Sequence, residues 1–471
     1  MSYVKGSQLP STSTVADTDT LIVTQEGDSK ATKKATKSDL LKEDRTRLTN
    51  LETDNTTNKS NITNLQQENQ TLKNNVKALE YVINNSNRLN YTGQVITNSN
   101  SAVGDIRNII VNGNTRYKKA DGTYADTRES GVSLESMGEK EKNSNGKYPI
   151  EIASCGKNLA FTATSSGNVK LNTIVDTNKL VVGKQYVISA KHIDTTKKVH
   201  MCFYKSDGTK VSNTYDASSP LKFTYSKNID NITFSTEDVW TWCNVIDIQL
   251  EKGTTATTYE AYKEDKRTIL LENPLRKNGS ISDFADLEKK EVTRNCGVKI
   301  LDGSETWGKE SLTRTNTSLF YLSLTSSIFA KVGKCLSDKL SYNYDIYSTD
   351  EEGIRIDVNG NLQISILKSK LATDNVTGFK TWLVSNNVTV VYQLATPTTE
   401  SIEVSPTDNP LTSYTPSTTL TTNNVVKGNI SADMPTNLSG VITQQASLIA
   451  QLEDNLLQTQ ALLIDNAIDN A

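Results

Sequence analysis

Between Leu41 and Ile83 the apolar residues of this chain recur every three and four positions, a pattern that admits few structures. The first position of a heptad falls on Leu41, Leu48, Asn55, Ile62, Asn69, Val76 and Ile83, and the fourth on Asp44, Leu51, Asn58, Leu65, Leu72 and Leu79. A repeat of about 3.5 residues sustained this long predicts a parallel coiled coil over 41–85 rather than a single helix lying on a globule. At about 1.5 Å per residue it would be roughly 65 Å long. Polar residues in a buried seam weaken it but penalise wrong registers and strand numbers. The asparagines therefore point to a seam built for alignment rather than strength. The repeat does not choose between two strands and three, and a lone helix packed on a core is the other reading.

Apolar residues make up 35% of the 471, below the roughly 45–50% of ordinary globular chains, even allowing for the glycine in that figure. Thr, Ser and Asn fill the difference. Such a chain lacks the material for one large core and is expected to fold as modest β domains joined by elongated parts. Its 51 basic and 54 acidic residues are spread along the chain with a net charge of −3, which leaves no electrostatic footprint for nucleic acid or an anionic membrane. No run approaches the roughly 18 apolar residues of a membrane span, and "MSYVKGSQLPSTSTVADTDTLIV" lacks a basic then apolar leader. Neither nucleic-acid binding, membrane insertion nor export by that route is expected. Cys155, Cys202, Cys243, Cys296 and Cys335 are widely spaced, odd in number and without a CxxC pair, which predicts reduced thiols rather than disulfides or zinc ligands.

Residues 1–40 read as a small head: a strand, an Asp/Gly turn, a second basic strand, then Ser38-Asp39 as the start of a helix. A head this small needs a partner or oligomerisation for stability. After the coiled coil, residues 86–154 read as a β-rich connector with Asn-Gly and Asp-Gly turns. Residues 155–265 alternate in short segments separated by turns, including Asp207-Gly208, and predict an antiparallel sandwich of jelly-roll type. A second sandwich is expected over 266–430, where Ile354, Ile356 and Val358 face one way before an Asn-Gly turn and Leu362, Ile364 and Ile366 continue after it. Residues 431–471 return to helix, with Ile442, Ile449, Leu456 and Leu463 seven apart and Val441, Leu448, Leu452 and Leu462 widening the stripe. So broad a stripe is expected to bury against copies of itself or a neighbouring protein. The fold expected is mainly β with terminal helices: a coiled coil, two antiparallel sandwiches and a C-terminal helix in an elongated oligomer.

Several of these stretches resemble tail-fibre and baseplate proteins of phages, or phage-tail-like bacteriocins, of Gram-positive, clostridial-type bacteria. "MGEKEKNSNGKYPIEIASCGKNL" (137–159) resembles the lead into a carbohydrate-binding-module-like jelly roll, and "VIDIQLEKGTTATTYEAYKED" (245–265) resembles that domain's closing strand. "VVYQLATPTTESIE" (390–403) is similar to the last strand of a domain that often follows, and the head to segments that fix fibres to a baseplate. The resemblance implies a homotrimeric virion protein that assembles in the host cytoplasm, anchors by its N-terminus and presents β domains for host adsorption. Jelly rolls of that family sometimes hold a structural calcium; Asp247 is the carboxylate such a site would use, but no dense acidic loop supports it. No other cofactor is implied.

The chemical inventory is thin and predicts no enzyme. His192 and His200 lack the spacing of a metal motif, and no nucleophile elbow, phosphate loop or dinucleotide fingerprint occurs. Asp350, Glu351 and Glu352 cluster in "STDEEG", which reads as a solvated loop more readily than as a glycosidase pair. Aromatic residues are better candidates, because sugar rings stack their apolar faces on Trp and Tyr while amides and carboxylates bind the hydroxyls. Trp240 and Trp242 share one face of an extended segment, which is either core or a platform; as a platform it would draw on Tyr204, Asn244 and Asp238. Trp307 lies among turn residues and is expected to be exposed, whereas Trp382 reads as core.

These features favour a non-enzymatic fibre or baseplate protein that recognises a host cell-wall or surface polysaccharide. A purely structural adaptor is the nearest alternative, favoured by the apolar C-terminal helix. A glycan depolymerase and a bacterial surface adhesin are the readings from other classes.

Overall fold

The computed structural model describes residues 20–24, 32–128, 133–139, 142–213, 220–236, 241–323, 334–406 and 410–469. Among the described residues strands outnumber helices, and the sheets are antiparallel, so the chain is mainly β. It divides into two compact units, Met1–Glu80 and Tyr81–Ala471.

In the first unit Thr20–Thr24 pairs antiparallel with Thr32–Thr36, Ile22 opposite Lys34; residues 1–19 and 25–31 of the expected head lie outside the described residues. Helix α1 follows directly over Lys37–Ser86, 50 residues long. Its many threonines do not break it, because the hydroxyls of Thr46, Thr53, Thr56 and Thr63 each donate to the carbonyl four residues earlier. Leu48, Leu51, Ile62, Leu65, Leu72 and Val76 are exposed along one row, with Asn55, Asn58 and Asn69 in the same row. The side chains of Leu79 and Ile83 lie outside the described set.

The second unit holds three hydrophobic cores. The first fills a sandwich of two four-stranded antiparallel sheets. One sheet runs in the order Ser165–Ser166, Asn244–Lys252, Gln185–His192, Leu221–Thr224, and the other Asn168–Lys170, Ile229–Thr236, Val199–Lys205, Lys210–Asn213. Between them Tyr186, Phe203, Phe223 and Phe234 are buried, with the Phe203 and Phe223 centroids 4.1 Å apart. The expected turn forms at Asp207-Gly208, where Gly208 takes φ 82° and Asp207 accepts the Thr209 N–H at 2.8 Å.

The parsing of the rest differs from the sequence reading. Residues 86–154, read as a connector, supply strands to a central body that also draws on both ends of 266–430. Tyr148–Cys155 lies between Glu264–Leu271 and Thr418–Thr422, while Gly104–Asn112 lies between Phe284–Asp286 and Ile430–Pro435. Ile106, Val111, Ile150, Ile152, Ile269, Leu420 and Ile430 share its core. Each strand carries apolar residues on one face, and the structure pairs them across hundreds of residues of sequence. The sandwich with the first core is thereby inserted between Cys155 and Glu264, two residues that face each other in the central sheet.

The third core comprises the sheet Trp307–Lys309, Thr317–Ser323, Asn361–Leu367, Gly353–Ile356 and a helix, α2, over Val376–Ser385. Asn375 caps α2 by accepting the Gly378 N–H at 2.9 Å. Ile354 faces Ile364 and Ile356 faces Leu362, all four buried, but Val358 is exposed because it sits in the turn itself. Trp382 packs partly buried against this core.

Strand Arg88–Gly93, at a sheet edge, pairs with Ile430–Pro435, and the Thr436 N–H donates to Asn87 O at 2.9 Å. The segment that follows α1 is therefore paired with the segment that precedes the terminal helix α3, Leu438–Asp469. Ile442, Ile449 and Leu452 on α3 are exposed; the side chains of Leu456 and Leu463 lie outside the described set. Among the described residues no helix is long and apolar enough to cross a membrane.

Candidate functional site

Two phrases singled out in the sequence fold into one clasp that closes the inserted sandwich. Asn158 donates to Ile248 O and Glu260 O at 3.2 and 2.9 Å and accepts from the N–H groups of Ala160 and Leu250. Fully buried Gln249 donates to Glu251, which accepts both the N–H and the hydroxyl of Thr257. Lys179, 2% exposed, reaches across to Glu264 and the Tyr262 hydroxyl. These polar groups are satisfied by one another, so the clasp is structural.

Just before the start of strand Asn244–Lys252, away from the clasp at residues 248–251, the chain leaves Trp242 exposed. Residues 241–243 run as an extension of both sheets: Thr236 N donates to Thr241 O at 2.9 Å, Cys243 N to Phe234 O at 3.2 Å and Gly167 N to Cys243 O at 3.3 Å. Alternation along this extended stretch sends Cys243 into the core and leaves Trp242, 59% exposed, and Asn244 outside. The indole lies beside Gly167. Its φ is 65°, and a Cβ on it would lie 3.6 Å from Trp242 Cβ and Cγ. Asn244 faces Ser166 across the strand pair, and its carbonyl accepts the N–H of exposed Ile193 at 3.1 Å. The result is an aromatic shelf with Asn244 and Ser166 near it, an apolar face with amide and hydroxyl groups at its margin.

The other candidates do not join this shelf. Tyr204 is half-buried and pairs with Asn231, whereas Trp242 bridges Ser235, the partner of His200. Four residues of strand, about 13 Å, separate Tyr204 from that point. Trp307, expected to be exposed, is buried: its ring meets Phe379 edge-on at 4.9 Å, and its Nε1 donates to Glu305 at 3.3 Å. The turn residues around it, read as surface, frame a core position instead. Trp240 and Asp238 lie outside the described residues. Gly167, which lies beside the shelf in a left-handed conformation, was missed; the only local signal was a Ser-Ser-Gly turn.

The remaining chemistry is committed to structure. His192 pairs with Val245 in one sheet and accepts the Asp194 N–H at 2.9 Å, while His200 lies in the other sheet opposite Ser235. Asp247 is ion-paired with Lys191 at 2.9 Å. Among the described residues no three His, Cys, Asp or Glu side chains are grouped to hold a metal ion. Asp350 accepts the N–H groups of Thr315, Asn316 and Thr317, and these bonds, that of Asn316 first, hold it below the usual carboxylate range. Glu352 accepts the Leu367 N–H and pairs with Lys370 at 2.7 Å. All five cysteines are buried and free, and burial pushes Cys155, Cys296 and Cys335 up to about 12, far from reactive thiolates.

No family model, curated protein or solved structure matches the chain.

Proposed function

We propose that this chain is a structural tail-fibre or baseplate protein of a phage, or of a phage-tail-like particle, that presents its inserted sandwich to a glycan of the host cell surface. The observation that carries the reading is the Trp242 shelf. An exposed tryptophan beside a glycine, with Asn244 and Ser166 near it, matches what a sugar ring requires.

The exposed row of α1 supports a homotrimeric coiled coil. Six exposed aliphatic side chains at heptad spacing are stabilised when copies of the helix cover them. In this reading the N-terminal head docks to the baseplate or to other tail proteins, and the particle assembles in the host cytoplasm. Three shelves on one trimer give avidity, so weak single sites suffice for adhesion. The clasp adds support, since Asn158, Gln249 and Glu251 belong to the phrases that resemble phage tail proteins.

Binding of fluorescently labelled full-length protein to host cells tests the proposal. Trp242→Ala should lower bound protein about tenfold or more with melting temperature and mass unchanged; equal binding by the variant sinks the shelf. Light scattering should give the mass of three chains, and a single-chain mass rejects the trimer.

A structural adaptor is the second reading, favoured by the exposed Ile442, Ile449 and Leu452 of α3. It gains if the full chain binds no cells yet forms a stable complex with neighbouring tail proteins.

A further inference from the structure

Between the inserted and central bodies lies a cleft of about 560 Å³, within the roughly 300–1,000 Å³ of small-ligand sites. Asn178 and Val182 line it from the inserted sandwich, Arg116, Val425 and Lys427 from the central one, and Lys227 from the loop before Ile229. The loop carrying Lys427 is fixed in place. A Cβ on Gly428 would fall 1.6 Å from Asn112 O, so only glycine fits there, and Asn114 donates to Lys427 O at 2.8 Å.

The charges in the cleft are unbalanced. Lys427 donates to Asn178 O and, at 3.5 Å, to the Thr421 hydroxyl, both neutral oxygens. Among the described residues neither Lys427 nor Lys227 makes an ion pair, whereas Arg116 is already paired with Asp126 at 2.9 Å. Among the described residues Asp176 is the one carboxylate that acts on Lys427, and its side chain also accepts the Asn178 N–H at 3.0 Å. Burial, helped by Lys227, pushes the Lys427 ammonium down to about 8 against the pull of Asp176. An ammonium desolvated on neutral oxygens, with a nearby carboxylate but no ion pair, is stabilised further by an anion that enters. Val182 and Val425, about half exposed at 53% and 54%, add apolar surface beside the lysines.

We infer that this cleft is a second binding site, for a saccharide bearing a phosphate or carboxylate group, with the anion between Lys427 and Lys227 and the sugar against Val182 and Val425. The saccharide half rests on the glycan reading above; the anion half does not.

Calorimetric titration of the full chain with trigalacturonate, glucose 6-phosphate, maltotriose and inorganic phosphate tests it. At least one charged sugar should bind, more tightly than inorganic phosphate, while maltotriose gives no signal at the same concentration. Lys427→Met and Lys227→Met should each weaken that binding about tenfold, and Trp242→Ala should leave it unchanged. Absence of binding by both charged sugars, or indifference to both lysine substitutions, overturns the site. Lys227 is exposed, so its variant reports even if Lys427→Met folds poorly. Inorganic phosphate binding as tightly as the sugars overturns the saccharide half. Failure of the glycan reading would register separately, as no cell binding by the wild-type protein.

Discussion

Trp242 lies beside Gly167, whose φ of 65° is a left-handed conformation that favours glycine. Gly167→Ala should cost about 1–2 kcal/mol, because an L side chain is strained in the left-handed region. Trp242→Ala should change stability by less than about 1 kcal/mol, since most of the ring is already in water. Thermal melts of both variants check the contrast.

Asp283 is the hub of the central body. Its carboxylate pairs with Arg294 at 3.3 Å and accepts the N–H groups of Arg276, Asn295 and Cys296, and it is fully buried. Asp283→Ala leaves a buried guanidinium with only Glu400 as its counter-charge, and three backbone donors without acceptors. The expected loss is about 3–5 kcal/mol, read as a shift in the urea midpoint. A loss near that of a surface substitution would contradict the hub.

Lys427 gives a pH dependence of defined sign. Its folded pKa of about 8 lies below the ordinary lysine value, so the unfolded chain holds the proton more tightly. Its destabilising effect is complete below about pH 8 and fades as pH rises toward the unfolded value of about 10.4. Relative to Lys427→Met, wild-type unfolding free energy should therefore be lower and flat at acid and neutral pH, then climb between those limits. Arg116, Tyr225 and Lys227, which line the same cleft, and Asp176 are common to both proteins, so the difference isolates Lys427. A flat difference through this window would contradict the buried ammonium.

The seam of α1 makes a prediction in both directions. Leu51→Lys together with Leu65→Lys should reduce the oligomer to single chains in light scattering, because the charges would enter the seam. Asn58→Leu and Asn69→Leu should raise the helix melting temperature while broadening the distribution of chain numbers. Unchanged mass in the first variant would remove the coiled coil from the proposal.

The legible parts were those that neighbouring residues decide. The 3.5-residue repeat marked α1, and Asp207-Gly208 and Asn359-Gly360 marked turns that the structure forms. The alternation of Ile354, Ile356, Leu362, Ile364 and Ile366 marked a buried face, and failed only at Val358, which the turn swings outward. Helix α2 was not read, because its ten residues fall below the length at which a helical period stands out.

What the sequence by itself determined is the set of elements with a buried or apolar face, the absence of a metal or nucleophile motif, and the turn residues between strands. What only the tertiary structure decided is which faces meet. Trp307 has turn residues on both sides, but it is buried because Phe379 of α2 comes to cover it. Residues 86–154 look like a connector until Tyr148–Cys155 pairs with Glu264–Leu271 on one side and Thr418–Thr422 on the other. Trp242 could have been core or platform, and the backbone pairing of Cys243 with Phe234 and Gly167, which buries Cys243, left Trp242 outside. The reason is that periodicity and turn preference act over a few residues, whereas an apolar face specifies only that it be covered and not by what.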